Sequence, residues 1–461
     1  MRKTNAVLLS VVWLGVACAA AWAAGPGGAK DLQQENDQLR KRVQALEKAV
    51  AEMRGMFRQQ AVELKDVREA RKKDVKEMRS LLEKDAGNKP EQKWLSLRTS
   101  LDMELYGYVK LDASYDTART DVGNFARWVG TERLRNKDDQ FNMTARQTRL
   151  GLRISGPEAA GAKTSGRVEI DFYGGGAENK PEPMMRHAYM KMEWPEYRLS
   201  VLAGQTSDVI SPLVPSTLNY SVAWWAGDIG YRRPQVRVTK GFGLSKDVDV
   251  EVAAAVARTI GRSAFWGNQR TDPGDTGEDA SLPGLQGRAA VTFPLLGPKR
   301  TTVGFSGHFA KEEYDSDLED HGKSLCSWSA NMDVTQPVTE WMTIKGELFT
   351  GSNLDAYLGG IGQGVDAATV KEIASCGGWG AVSLGPWDKW RFNLGASVEA
   401  VDGTDVTAAG ARTLNRSIFG NVIYAVNQNA SVGLEVSQWH TEYNDDDGDS
   451  LRVQTSFIYK F

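Results

Sequence analysis

The chain has 461 residues, with 56 Lys and Arg against 59 Asp and Glu and a formal charge of -3. That length exceeds one ordinary globular core, and the even charge balance argues against a nucleic-acid partner. A mean hydropathy of -0.42 reads as water-soluble, yet it leaves a membrane β-barrel open, because lumen-facing and loop residues dilute the lipid-facing half of each strand.

Arg2 and Lys3 precede an apolar run from Ala6 to Ala21, and Ala21-Trp22-Ala23 offers a small-residue cleavage site. Residues 1–23 therefore read as a secretory signal peptide. The competing readings are an uncleaved anchor and a lipoprotein acylated at Cys18. The second is disfavoured by Gly15, where a branched apolar residue is expected. After cleavage only Cys326 and Cys376 remain, too few to staple a fold of this size.

Residues 30–86 are rich in Glu, Lys, Arg and Gln. Leu32, Leu39, Leu46 and Met53 recur every seven residues, and Asn36, Val43, Val50, Phe57 and Leu64 form a second series offset by four. The frame meets Arg71 and resumes at Val75, Met78 and Leu82, a four-residue stutter. This is a coiled-coil pattern, a rod about 75 Å long at 1.5 Å per residue. Val in one seam series with Leu in the other favours two strands; a barrel of the kind expected below favours three. Gly87-Asn88-Lys89-Pro90 ends the helix, and 87–103 reads as a linker.

From residue 104 to 461 the helical period gives way to short alternating segments. Val109, Leu111 and Ala113 alternate with Lys110, Asp112 and Ser114; Leu150, Leu152 and Ile154 with Arg149, Gly151 and Arg153; Val168, Ile170 and Phe172 with Arg167, Glu169 and Asp171. Candidate strands begin near Glu104, Asn142, Lys163, Pro183, Tyr197, Arg233, Asp247, Gln286, Thr301, Leu325, Trp341, Gly377, Trp390, Leu414, Ala430 and Ser450, about sixteen in all. Connections alternate between short (156–162, 195–196, 241–246, 296–300, 336–340, 385–389, 427–429) and long (117–141, 174–182, 207–232, 259–285, 311–324, 351–376, 402–413, 441–448). Short periplasmic turns and long outer loops produce that rule, and it predicts an all-β transmembrane antiparallel barrel with both termini on the periplasmic side. Aromatics near strand ends, such as Trp194, Trp341, Trp387 and Trp390, suit interfacial girdles.

A barrel of this size leaves an aqueous channel. Alternation places Arg149, Arg153, Arg167, Lys191, Arg198, Arg237, Arg288 and Arg391 on the wet face, interleaved with Glu169, Asp171, Glu193 and Glu251. Guanidinium groups bind carboxylate or phosphate through paired hydrogen bonds, and a basic constriction favours anions. The third outer loop, 207–232, carries Pro212, Pro215, Trp224 and Trp225, which predicts that it folds inward, with Arg232 and Arg233 near its exit.

Acidic stretches 444–449 and 272–275 could bind Ca²⁺ or bridge lipopolysaccharide through divalent ions, but the first lacks the closing Glu of a full calcium loop. His187, His308, His321 and His440 stand at no metal-ligand spacing. No metal, cofactor, catalytic residue or enzyme activity is expected. Cys326 and Cys376 fall on strands separated by one other, about 10 Å apart, which predicts free thiols.

The last eleven residues place Leu451, Val453, Phe457, Tyr459 and Phe461 on one face, and Arg452, Gln454, Ser456 and Lys460 on the other. A strand ending on Phe resembles the closing strand of bacterial outer-membrane barrels, and it puts Arg452 and Lys460 in the lumen wall. Tyr106-Gly107-Tyr108-Val109-Lys110-Leu111-Asp112, Ala145-Arg146-Gln147-Thr148-Arg149-Leu150-Gly151-Leu152, Gly204-Gln205-Thr206 and Arg233-Pro234-Gln235-Val236-Arg237 resemble the corresponding segments of the DcaP-like porins. That resemblance implies a periplasmic coiled coil joined to a trimeric outer-membrane barrel that takes up small anions, notably dicarboxylates. By it, Arg149, Arg153, Arg233 and Arg237 become the preferred pore-lining residues. Tyr231-Arg232 ahead of the Arg-Pro-Gln run departs from the family pattern. The expectation is a homotrimeric porin in a Gram-negative outer membrane, its stalk in the periplasm, in contact with lipid and lipopolysaccharide and passing small anionic solutes. The alternative is a structural protein tethering that membrane to peptidoglycan or binding partners through its loops.

Overall fold

The computed structural model describes residues 101–135, 138–260, 280–296, 299–316 and 320–461. The signal peptide, the coiled-coil stalk, nearly all of the linker and the acidic stretch 272–275 lie outside the described residues.

The strands run in chain order as β1 (Asp102–Asp116), β2 in two segments (Gln140–Thr144 and Arg149–Ser155), β3 (Lys163–Asp171), β4 (Met184–Trp194), β5 (Leu199–Ser207), β6 (Arg232–Gly243), β7 (Asp249–Ala257), β8 (Gly284–Leu296), β9 (Lys299–Ser316), β10 (Asp320–Pro337), β11 (Met342–Ser352), β12 (Ala374–Trp387), β13 (Trp390–Val401), β14 (Arg412–Ala425), β15 (Ala430–Tyr443) and β16 (Asp447–Lys460). Each pairs antiparallel with its neighbours in sequence, and β1 pairs with both β2 and β16. With the two segments of β2 taken as one broken strand, the sheet is a closed ring of sixteen. The break is a bulge. Four residues, 145–148, oppose the three of β1 between Tyr108 and Asp112. The Lys110 N–H, left without a ladder partner there, donates to Thr148 Oγ1 at 3.2 Å.

The polarity is the reverse of a soluble fold. Val109, Phe141, Met143, Val236, Phe305, Leu348, Leu394, Ile418 and Phe457 are exposed on the outer face, whereas Asp112, Glu169, Asn331, Glu347, Glu435 and Gln454 are buried on the inner one. An apolar outside with a polar inside is what lipid around and water within require. Trp341 and Trp387 (5.6 Å between centroids) and Trp390 and Tyr424 (4.7 Å) cluster beside the short turns, as an interfacial girdle does.

Two expected long loops turn out to be hairpins. β9 and β10 stay paired as far as Ser316 and Asp320, and β15 and β16 as far as Glu442 and Asp447, where Tyr443 N–H donates to Asp446 O at 2.8 Å. Polar composition misled there, because charged and polar residues at successive positions, such as Lys311-Glu312-Glu313, leave no apolar stripe to mark a strand. Cys326 and Cys376 are free thiols on β10 and β12.

The closing seam is held from within. Arg452 and Asp116, neither side chain exposed at all, form an ion pair with Arg452 Nη1 at 2.9 Å from Asp116 Oδ2. Nη1 also donates to Gly123 O and Nη2 to Asn124 O, both at 3.2 Å, so the first loop is drawn over the pair. Arg452 thus faces inward as expected but is sealed beneath that loop instead of lining open water. Removing one partner strands a buried charge at a cost of about 3–5 kcal/mol. Arg452→Ala is expected to lower the denaturant midpoint of the detergent-folded barrel, and the paired replacement Arg452→Met with Asp116→Leu to recover most of the loss.

Candidate functional site

The third loop, 208–231, lies inside the barrel and follows its wall. Gln286 on β8 accepts from Val209 N–H (2.8 Å), Ser306 on β9 from Ser211 N–H (3.4 Å), and Glu347 on β11 from Leu213 N–H (2.8 Å). Further along, Asn421 on β14 donates to Ser216 O (2.7 Å), and Glu435 on β15 accepts from Thr217 Oγ1 (2.6 Å) and Leu218 N–H (2.7 Å). Gln454 on β16 and Lys110 on β1 close the series on Leu218 O, at 2.9 and 3.0 Å. A loop with two prolines cannot satisfy its own main chain, so the inner-face side chains do it. The loop then doubles back through Tyr220, Trp224 and Trp225, which pack with Phe125, Tyr173 and Leu358.

Its two ends are tied together by Asp208 and Arg233. Asp208 accepts from Arg233 Nε (2.7 Å) and Nη2 (3.1 Å), from Gln286 Nε2 (2.7 Å) and from Tyr231 N–H (2.8 Å). Arg233 also lies over the Tyr357 ring at 3.7 Å, and His308 stacks on that ring at 3.7 Å. Tyr357 belongs to the sixth loop, 353–373, which enters the lumen too. It meets the third loop through Gly230 N–H to Tyr357 O (2.7 Å) and Trp225 N–H to Leu358 O (2.8 Å). Nothing in the sequence of the sixth loop marked it as internal except the run of Leu354, Tyr357, Leu358 and Ile361, all fully buried.

These loops cover the inner wall from β8 round to β1 and leave β2 to β7 as the open side. There a cavity of about 540 Å³ is lined by Tyr189, Lys191, Glu193, Arg198, Thr206, Arg237, Thr239 and Glu251. Of the expected cations, Lys191, Arg198 and Arg237 line it. Lys191 pairs with Glu193 at 2.7 Å, and Arg198 pairs with Asp249 at 2.8 Å beside the short turn after β4. Arg237 donates to Gln235 Oε1 (3.0 Å) and to the Ser207 carbonyl, and among the described residues it has no carboxylate partner.

Arg149, Arg153 and Arg167 meet on β2 and β3. Arg153 pairs with Glu104 (2.9 Å) and lies over the Tyr106 ring at 3.9 Å, while Arg149 lies over Tyr108 at 5.2 Å. Arg167 donates to Tyr106 OH at 2.6 Å. Glu169, almost fully buried, collects Arg149 (3.4 Å), Arg167 (2.5 Å) and Arg186 (3.0 Å); Arg186 also donates to Asp171 at 2.5 Å. Alternation extrapolated back from Tyr189 turns Arg186 outward. A register shift between β3 and β4, opposite Glu169 and Ile170, turns it inward instead.

Three expected pore residues stand elsewhere. Arg233 is fully buried and serves as the tie just described. Arg232, 5% exposed, packs against Tyr231 (4.5 Å) and Trp224 (5.7 Å) beneath the third loop. Arg288 is held in a two-pronged pair by Asp333 on β10, at 2.9 and 2.7 Å. The inward fold of the third loop is the physical reason for the first two, because the residues at its exit are covered by the loop itself. His440, Asp447 and Asp449 gather at the outer rim with ligand atoms within 4.8 Å of one another, but Asp447 and Asp449 are exposed and His440 already pairs with Asp449 at 3.1 Å.

No family model and no curated protein matches this sequence. Among solved structures, the fold is similar to the outer membrane channel DcaP of Acinetobacter baumannii, with a TM-score of 0.63 at 20% identity over 80% of this chain and 99% of that one. It is also similar to OmpF of Salmonella typhi, with a TM-score of 0.51 at 14% identity over 78% of this chain and 98% of that one. Likeness at this level of identity establishes the porin-type barrel.

The sixth and seventh loops are joined by one carboxylate. Asp366 accepts from Thr407 N–H (2.9 Å), Thr407 Oγ1 (2.9 Å), Thr369 N–H (3.0 Å), Thr369 Oγ1 (3.0 Å) and Ala368 N–H (3.1 Å). These donors, Thr407 N–H foremost, hold its carboxyl well below the ordinary carboxylate range. A depressed folded value means that the contribution is present above the unfolded value of about 3.9 and is lost as pH falls below it. Amide exchange at Thr369 and Thr407, corrected for chemical rate, is therefore expected to rise between pH 5 and pH 2. In Asp366→Asn it should be fast and nearly independent of pH over that range.

Proposed function

We propose that this chain is an outer-membrane porin that passes small hydrophilic solutes by diffusion, with a preference for anions such as dicarboxylates. The observation that carries the reading is the division of the lumen. One side is packed by the third and sixth loops; the other is an open arc where guanidinium groups from β2, β3, β4 and β6 gather. Arg149, Arg167 and Arg186 share Glu169 and Asp171, and among the described residues Arg237 forms no ion pair. Two such groups set apart along a wet wall suit a solute with two carboxylates, each taken by a guanidinium fork. Tyr189 lines the cavity, and Tyr106 and Tyr108 of β1 lie beside the arginines at its edge, offering ring faces to an apolar spacer between the charged ends.

The apolar outer face and the aromatic girdle support placement in a Gram-negative outer membrane, with lipid and lipopolysaccharide as surroundings. The heptads of 30–86 support a periplasmic stalk that brings copies together, and we take the assembly to be a homotrimer.

The test is the reversal potential of the reconstituted channel under a salt gradient. Each inverted charge is worth on the order of 1 kcal/mol at contact in water, so Arg149→Glu with Arg237→Glu is expected to change the anion-to-cation permeability ratio severalfold toward cations. Glu169→Gln should move it the other way. A protein that inserts but never conducts would favour the structural reading, in which stalk and loops act as a tether.

A further inference from the structure

Where the third loop touches β12 and β13 most closely, three carboxyl groups lie together out of water. Gly227, at φ 123°, presses its main chain against the carbonyls of Gly378 and Val398, where a Cβ would collide. The next residue, Asp228, is 1% exposed; Glu347 on β11 and Glu399 on β13 are 3% and 0% exposed. Among the described residues no cation pairs with any of the three. Asp333, beyond Glu347 on β10, is already engaged by Arg288.

Glu347 is supported by Leu213 N–H (2.8 Å) and the Trp379 indole N–H (3.2 Å), and Glu399 Oε1 by Ile361 N–H (3.3 Å) from the sixth loop. Neither oxygen of Asp228 accepts a well-formed hydrogen bond, and Glu399 Oε2 accepts none. Within hydrogen-bonding reach of Asp228 is the carboxyl of Glu347. Two carboxylates repel at that distance, and two carboxyl groups attract there only when one of them carries a proton.

We propose that Asp228 and Glu347 hold one proton between them as a latch that keeps the third loop on the wall, so that losing the proton to solvent releases the loop and widens the conduit. Burial and the neighbouring acids Glu347 and Glu399 also push the Asp228 carboxyl well above its ordinary range. For a carboxyl raised in the packed state, attachment is strongest at low pH and weakens as pH climbs from the ordinary carboxylate value toward the raised one. Because packed and released forms differ by one bound proton, their ratio changes by up to tenfold per pH unit in that window. As a regulator, the latch rests on the porin reading; as a property of the loop, it can be measured without conduction.

The experiment is amide exchange of residues 208–231 in the detergent-folded full chain at pH 6 and pH 9, corrected for chemical rate. Protection is expected to fall at least about tenfold in the wild type and to stay constant in Asp228→Asn, whose amide donates to Glu347 without titrating. Glu347→Gln supplies the same neutral contact from the other side and guards against misfolding of the first variant. Equal protection at both pH values in the wild type, or the same fall in both variants, would overturn the latch. A silent channel in a planar bilayer would remove the porin reading and leave the exchange result standing.

Discussion

In lipid, every main-chain N–H and C=O must find a partner within the protein, and a ring of strands is one of the few ways to provide it. The closure of β1 on β16 meets that demand and reverses the usual distribution of side chains. The apolar half of each strand goes outward, so the lumen inherits nearly all of the hydrogen-bonding groups. Whatever occupies the lumen must satisfy them, and they in turn can satisfy whatever enters. The third loop uses this provision, since its main chain is held in turn by side chains of β8, β9, β11, β14, β15, β16 and β1.

Packing on one side of the ring leaves the other side to water. Glu435, Ser437, Asn415 and Asn421 are buried beneath loops, whereas Arg149, Arg167 and Lys191 keep 22–32% of their side-chain surface exposed. The division also concentrates charge. Arginines crowd β2 to β6, and carboxyl groups without cations crowd the covered side at Asp228, Glu347 and Glu399. The proton proposed between Asp228 and Glu347 would remove one of the negative charges from that covered side.

The sequence made much of the architecture legible, because alternation with a period of two is set by strand geometry and survives any detail of packing. The starts of β3, β13 and β15 fall at Lys163, Trp390 and Ala430 as the pattern places them, and the apolar third loop, with its prolines and tryptophans, is internal. What alternation cannot carry is depth. It assigns Arg233 and Arg237 to the same face but says nothing of a loop that lies over one and not the other. Nor does it survive a bulge: the shift opposite Glu169 reverses the facing of Arg186, a central member of the arginine cluster. Polar hairpins at the outer rim failed for a third reason, since a strand with polar residues at successive positions has no apolar stripe to reveal it.

The contrast between Arg233 and Arg237 shows how loop and charge act as one device. Both lie on β6 and point inward, four residues apart. Arg233 reaches Asp208 and the Ala356 carbonyl, stacks on Tyr357, and is neutralised before any solute could meet it. Among the described residues Arg237 donates to the amide oxygen of Gln235 and a main-chain carbonyl, neutral acceptors that orient a guanidinium without cancelling its charge. The loop that narrows the barrel therefore also decides which arginines remain charged toward water. A barrel with the same inner face and no inward loop would expose both and would lack the packed low-dielectric wall against which the charge of Arg237 is felt.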